Sequence, residues 1–279
     1  MGIAVRRTLM KKRLISLVLA GVVALTAFGC GNGGNAASSS AAAGSSSAAA
    51  GSKKFIIATD TAFAPFEYVE KDGKRVGIDM DIMEAVAKDQ GFEYEIQALG
   101  FDAAIQAVAA GQADGVIAGM SITDDRKKTY DFSEPYYKVT VTMAVKSDAK
   151  IEKLEDLKDK NVVVKKGTTG ATVAEELKDK LGIKSIKVMD DSANMYQEVV
   201  VGNSDACFED YPVMAYAIKT NSTLNGKLKV VESVAEKETP YGFAVKKGAN
   251  AELLEKFNKG LENIKKNGSF DEIINKYTK

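Results

Sequence analysis

Apolar residues along this chain recur with two periods, and the two periods take turns. Short apolar runs at 55–58, 94–97, 115–118, 139–145, 161–164, 185–188, 205–208, 227–230 and 242–245 have the length and β-branched content of strands. Between them, at 79–89, 101–110, 169–181, 195–201, 212–220 and 249–266, apolar positions fall at helical spacing. The clearest helix is 79–89, where Ile82, Met83, Val86 and Ala87 share one face and Gly91 stands where the helix should close. Strands that alternate with helices predict a mostly parallel α/β arrangement.

The patterned part, 53–279, holds about 225 residues, more than one small core needs and enough for two lobes. Each half reads strand, helix, strand, helix, strand. An extended segment at 136–140 leads out of the first unit, and 239–242 is placed to lead back, which would make the first lobe discontinuous. Periodicity does not show that return crossing. No solenoid-type repeat is present.

The first residues follow a different pattern. Arg6, Arg7, Lys11, Lys12 and Arg13 precede an apolar run at 14–28, then Gly29 and Cys30, the order of a secretory signal over 1–29. The run is about fifteen residues, short of the roughly 18–20 that a spanning helix needs. Residues 31–52 are almost entirely Gly, Ala, Ser and Asn, a composition that cannot offset its ordering entropy and reads as a flexible tether. A plain disordered tail would share that composition but would leave the cysteine at its start without a reason. Cys207 is the other cysteine, expected as a buried small apolar residue with no intramolecular disulfide partner in the mature domain.

Charge and composition narrow the chemistry. The formal charge of the chain is zero, and the five charges before Cys30 are all basic, so the mature form is acidic and nucleic-acid binding is disfavoured. There is no histidine, which removes Ser-His-Asp hydrolysis, Cys-His nucleophiles and His-based zinc sites. No cofactor and no metal are expected.

Several stretches resemble one family. ATDTAFAPFEY (58–68) followed by GIDMDIMEAVAK (77–88) is the opening of the family 3 solute-binding proteins of bacterial ABC importers. GFDAAIQAV (100–108), ADGVIAGMSITDDRKKTYDFSEPYY (113–137), VVVKKGTTGA (162–171) and DACFEDYPVMAYAIK (205–219) follow in order. Within the family the chain looks closest to the glutamine-binding proteins. The Ala27-Phe28-Gly29-Cys30 end likewise resembles the lipobox of bacterial lipoproteins, with Ala27 where Leu is commoner, so Cys30 would carry lipid.

The resemblance implies a periplasmic-binding-protein-like type II fold: two α/β lobes joined by two hinge strands, with the ligand cleft between them. Lobe 1 would be 53–136 and 242–279, lobe 2 would be 140–236, and the hinge crossings 136–140 and 237–241. It implies an extracytoplasmic, lipid-anchored monomer that closes on a free amino acid and delivers it to an ABC permease, with no catalytic step.

A free amino acid brings a carboxylate and an ammonium group, and burying either costs several kcal/mol unless it meets a partner. On spacing alone Arg126 is a solvated member of the charge run 124–128; at its family position it takes the α-carboxylate with a planar fork. The family uses the carbonyl at Gly119 and a hydroxyl at Ser121, where threonine is usual, to hold the ammonium group, with Asp210 as its counter-charge. Asp210 also precedes Pro212 as a helix N-cap would. The turn 167–170 would offer the carboxylate backbone N–H groups at a helix start, with Thr169 where glutamine binders often have glycine. No Lys-Ser/Thr pair follows it, so it is not a P-loop.

Asp60 and Lys165 would provide the acceptor and donor a carboxamide wants, and Phe63 and Phe101 would either sandwich the ligand's methylenes or serve as ordinary core. Glu209 is the departure, because glutamine binders commonly carry histidine there. Facing the ligand it would favour arginine, lysine or ornithine, which Lys165 would repel unless it pairs with Glu209. Glutamine is the main expectation and a basic amino acid the alternative. Contacts from Lys165, Thr169 and Asp210 would be gained on closure and shift the open–closed balance. A dehydratase-like enzyme with Asp60, Lys165 and Glu209 as acid and base is a minor alternative. A sensor would need a membrane segment after the domain, and no apolar run of that length follows.

Overall fold

The structure, a computed structural model, describes residues 54–279 apart from residue 236; the expected export signal at 1–29, Cys30 and the expected tether at 31–52 lie outside the described residues. The chain runs through β1 (Phe55–Thr59), a short hairpin of β2 (Tyr68–Val69) and β3 (Arg75–Val76), α1 (Ile78–Gln90), β4 (Tyr94–Ala98), α2 (Phe101–Ala110) and β5 (Gly115–Val116). A turn of 3-10 helix, Arg126–Lys128, leads to β6 (Tyr130–Phe132), then β7 (Tyr137–Val139) and β8 (Val141–Lys146). The second half continues with β9 (Asn161–Lys165), α3 (Thr169–Leu181), β10 (Ser185–Met189), α4 (Ser192–Val200), β11 (Ala206–Asp210), α5 (Tyr211–Thr220) and β12 (Leu228–Ser233). Last come β13 (Thr239–Tyr241), β14 (Ala244–Lys246), α6 (Ala251–Lys266) and α7 (Ser269–Thr278).

Two five-stranded sheets result, β4-β1-β5-β14-β6 and β10-β9-β11-β8-β12. In each, the strands that alternate with helices pair in parallel: β1 with β4 and β5, β9 with β10 and β11. The expected mostly parallel character holds only for these, since β14 enters the first sheet antiparallel to β5 and β6, and β8 enters the second antiparallel to β11 and β12. The reason is the path between the sheets. The chain leaves the first sheet through β7 and returns through β13, and the two pair antiparallel as a separate ribbon, Tyr137 opposite Tyr241 and Val139 opposite Thr239. The run expected as a single strand at 139–145 is broken at Thr140 between ribbon and sheet.

Strand alternation sorts side chains to two covered faces in each sheet. On β1, Phe55 and Ile57 join the core with α1 and α6, while Ala58 joins the core with α2. On β9 and β11, Val162, Val164, Ala206 and Phe208 face one cluster, and Val163 and Cys207 face the other. Cys207 is buried, as expected, and burial pushes its thiol pKa up.

Local signals fix the helix ends that matter for the cleft. Gly91 closes α1 in the left-handed conformation, its N–H bonded to Ala87 O. Thr168 caps α3, its Oγ1 accepting the Ala171 N–H at 3.2 Å. The terminal helix α7 was not expected, although Phe270, Ile273, Ile274 and Tyr277 stand at helical spacing and pack on the first lobe's core. Among the described residues no helix is long and apolar enough to cross a membrane.

Candidate functional site

The parallel strands β1, β5, β9 and β11 direct their C-terminal ends toward the space between the two sheets, where open α/β sheets place ligand sites. A small cavity lies there, lined by Phe63, Phe101, Gly119, Ser121 and Arg126 from the first lobe and by Lys165, Thr168, Thr169 and Asp210 from the second. Of the residues singled out from sequence, Phe63, Phe101, Gly119, Ser121, Arg126, Lys165, Thr169 and Asp210 are therefore brought together on one wall or another. Asp60 and Glu209 are not on that wall, although both are buried.

Among the described residues, three polar contacts that bear on the cavity cross between the lobes. The Lys165 ammonium pairs with Asp60 Oδ2, and both side chains are almost wholly buried, at 1% and 2% exposure. Arg126 Nη2 donates to Gly167 O at 2.9 Å. Lys166 bridges to Asp102 at 2.8 Å nearer the rim. A rim pair of this kind contributes little, whereas a buried pair carries a desolvation cost that only close contact offsets.

Arg126 is held by backbone on both sides. Nη1 donates to Ser121 O at 2.8 Å, Nη2 to Gly167 O, and the guanidinium carbon stands 5.3 Å from the centre of the Phe101 ring. Burial draws its pKa down, against the pull of Asp210. The residue is thus a fixed fork with further N–H groups to spare, not a solvated member of its charge run.

Lys165 stands between the aromatic walls. Its Nζ lies 4.8 Å from the Phe63 ring centre and 5.9 Å from that of Phe101. The two rings and Asp60 together form a slot that stabilises a positive charge. Asp60 is itself braced: Oδ1 accepts the Thr61 N–H at 2.6 Å, and Arg75 Nη1 donates to the carbonyls of Asp60 and Thr61.

Strand alternation separates the two neighbouring acids on β11. Glu209 shares the face of Cys207 and of Lys165's neighbour Val163, so it turns toward α4, where Oε2 accepts Ser192 Oγ–H at 2.7 Å. Its Oε1 accepts the Asp210 N–H at 3.2 Å. Burial raises its pKa, and Lys165, Ser192 and that N–H pull it back down. Asp210 turns the other way and accepts the Tyr241 hydroxyl at Oδ2. It occupies the N-cap position of α5, but its side chain makes no cap hydrogen bond, so the expected capping role is not present. Burial and then Glu209 push Asp210 up to about 7, against Tyr241, Arg126 and Lys165.

Gly119 cannot be another residue. Its φ is +54°, and a Cβ would lie 2.6 Å from the Phe63 ring and 3.1 Å from the Tyr241 ring. Tyr241 and Thr168 are the site residues that sequence reasoning missed. Thr168 had a signal, a hydroxyl immediately before the helical pattern of α3. Tyr241 had none, because it reaches Asp210 only through the β7–β13 ribbon.

Comparison with known proteins gives the geometry its context. Residues 55–279 match the bacterial extracellular solute-binding proteins, family 3. The arginine-binding extracellular protein ArtP of Bacillus subtilis (strain 168) is 34% identical over 269 residues, covering 96% of this chain and 98% of ArtP. A solved structure of an ancestral arginine-binding protein bound to arginine is 38% identical with a TM-score of 0.75, covering 81% of this chain and 98% of that one. A structure of an ancestral arginine-binding protein bound to glutamine is also 38% identical, with a TM-score of 0.72 and coverage of 80% and 97%. The two lobes, each built on its own sheet, are those of a type II periplasmic binding protein, and the chain belongs to the bacterial extracellular solute-binding proteins, family 3.

Proposed function

We propose that this chain is the receptor of an ABC importer for a basic amino acid, arginine before lysine or histidine, and that lipid on Cys30 holds it at the outer face of the membrane. The observation that carries the side-chain reading is the slot around Lys165. Two phenylalanine rings flank a positive charge that Asp60 neutralises, and the buried Glu209 carboxyl is near enough to the same lysine for its charge to pull the Glu209 pKa down. A flat guanidinium from the ligand suits that slot better than a neutral carboxamide does. Lys165 would then move from Asp60 toward Glu209, which keeps every charge paired. The arginine-binding relatives support the same reading.

In this reading Arg126 takes the α-carboxylate, with the start of α3 at Thr168 and Thr169 facing it. The ammonium group meets the Gly119 carbonyl, the Ser121 hydroxyl and Asp210. Groups from both lobes touch one small ligand, so binding stabilises the closed form over any form in which they stand apart. Chemistry on the bound amino acid is not part of the proposal. Asp60 is held by Lys165, Glu209 by Ser192 and the Asp210 N–H, and neither lines the cavity. Glutamine remains the second reading, favoured by one observation: Lys165 and Asp60 offer a donor and an acceptor side by side, and a relative described as arginine-binding was also solved with glutamine.

Calorimetry against the twenty amino acids tests the assignment. Arginine should bind tightest, Arg126→Ala should abolish binding of every amino acid, and Asp60→Asn should weaken arginine by about tenfold or more, the scale of a charged hydrogen bond, while affecting glutamine less. Tighter binding of glutamine than arginine would overturn the basic reading, and no heat with any of them would end the amino-acid reading. The pH profile follows from Asp210, whose neutral form cannot balance the ammonium. Since its pKa without that ammonium is about 7 and the ammonium lowers it, affinity should be level above pH 7 and fall by up to about tenfold per unit below it. A flat profile into the acid range contradicts the counter-charge role. For the anchor, Cys30→Ala should move the protein from the membrane fraction to the medium or periplasm; unchanged membrane association would refute lipidation at Cys30.

A further inference from the structure

Beneath the cavity, in the first lobe, two carboxylic side chains sit with no exposed surface: Glu67 and Asp79, each at 0%. None of the roles above uses them. Asp79 lies in the first turn of α1, whose entry is fixed by Gly77 at φ +132°, where a Cβ would stand 2.0 Å from the Phe66 carbonyl oxygen. Asp79 Oδ2 accepts the Gly119 N–H at 2.7 Å and the Tyr136 hydroxyl at 3.0 Å. Asp79 Oδ1 and both oxygens of Glu67 have no ordinary donor among the described residues.

Three buried carboxyl oxygens without donors are costly unless a proton lies between the two groups, and two carboxylates in contact cannot both stay ionised in such a site. The asymmetry of their surroundings says which group keeps the proton. Burial, then Asp79, then Asp60 push Glu67 well above its ordinary range, with Lys165 pulling the other way. Asp79, raised by burial to about 7, is drawn down by Gly119, Tyr136 and Glu67. Glu67 is therefore the donor and Asp79 the carboxylate.

We infer that Glu67 and Asp79 act as one proton-sharing unit that positions the Gly119 turn and holds a single negative charge behind the carbonyl assigned to the ligand's ammonium group. Neither residue lines the cavity, so both are positioning residues. The unit has a second attachment. Glu67 exchanges backbone hydrogen bonds with Phe63, N–H to O at 3.1 Å and the reverse at 2.6 Å. The Phe63 ring is in turn what a Cβ on Gly119 would strike. One proton thus ties the aromatic wall to the ammonium subsite. The inference rests on the α-amino-acid clamp and is independent of which side chain the slot prefers.

Two measurements test it. Infrared spectroscopy of the whole protein at neutral pH should show a protonated carboxylic-acid carbonyl band that Glu67→Gln removes. Calorimetry with arginine and glutamine should find Glu67→Gln within about threefold of wild type, since its amide still donates to Asp79, and Asp79→Asn weaker by about tenfold or more for both ligands alike. If Asp79→Asn does not fold, Tyr136→Phe substitutes for it. With one donor fewer and Glu67, Asp60 and Lys165 still facing the pair, the acid limb of amino-acid affinity should move to higher pH. An acid band unchanged in Glu67→Gln, an Asp79→Asn affinity within threefold of wild type, an unmoved limb in Tyr136→Phe, or a loss confined to one ligand would each overturn the inference. Wild-type protein that binds no amino acid would instead refute the proposed function, and the infrared band would still decide the shared proton.

Discussion

The buried pair of Lys165 and Asp60 is the contact on which the closed arrangement depends. Each comes from a different lobe, and both are removed from water. Taking a single ammonium or carboxylate out of water costs several kcal/mol even after the protein relaxes, and that cost is offset here only when the two groups meet. Separating the lobes takes the two groups apart, so each must then find water or another charged partner. A ligand that offers its own charge to either partner enters this balance directly, which is how a small molecule can set the position of two lobes.

The surrounding residues follow from that constraint. Phe63 and Phe101 exclude water from the pair and add their ring faces to the ammonium. Glu209 and Ser192 give the lysine a second direction in which to move without losing an anionic neighbour. At the other end of the cavity Arg126 is a second, half-buried cation, and its backbone partners Ser121 and Gly167 again come from opposite lobes. Cations stand at both ends of the cavity with acids behind them, and the proposed orientation of the amino acid rests on that arrangement. The Glu67–Asp79 pair extends the same logic one layer deeper, where a buried acid is tolerated because it shares a proton and is paired with backbone.

Much of this is legible in sequence because local rules govern it. Apolar runs and helical spacing mark the elements whose neighbours in sequence are also neighbours in space, such as β1 with α1 or β9 with α3. Alternation along β11 also carries the fact that Glu209 and Asp210 face opposite ways, since Cys207 and Phe208 before them do. The antiparallel entry of β8 and β14 is not legible, because it depends on a crossing made far along the chain, and neither strand differs in pattern from a parallel one. Tyr241 is hidden for the same reason: it meets Asp210 across 31 residues, through the return strand. Motif resemblance supplied Arg126, Gly119 and Lys165 where spacing alone left Arg126 as a surface charge. What it supplied less well was the side-chain preference, because pairing among Asp60, Lys165 and Glu209 is a property of their packing and not of any one position.

The central claim is that a cationic side chain displaces Lys165 from the aromatic slot. A crystal structure with arginine bound tests it most directly. The account predicts the guanidinium between Phe63 and Phe101 on Asp60, with the Lys165 ammonium moved onto Glu209. Lys165 still paired with Asp60, and the guanidinium outside the slot, would contradict it.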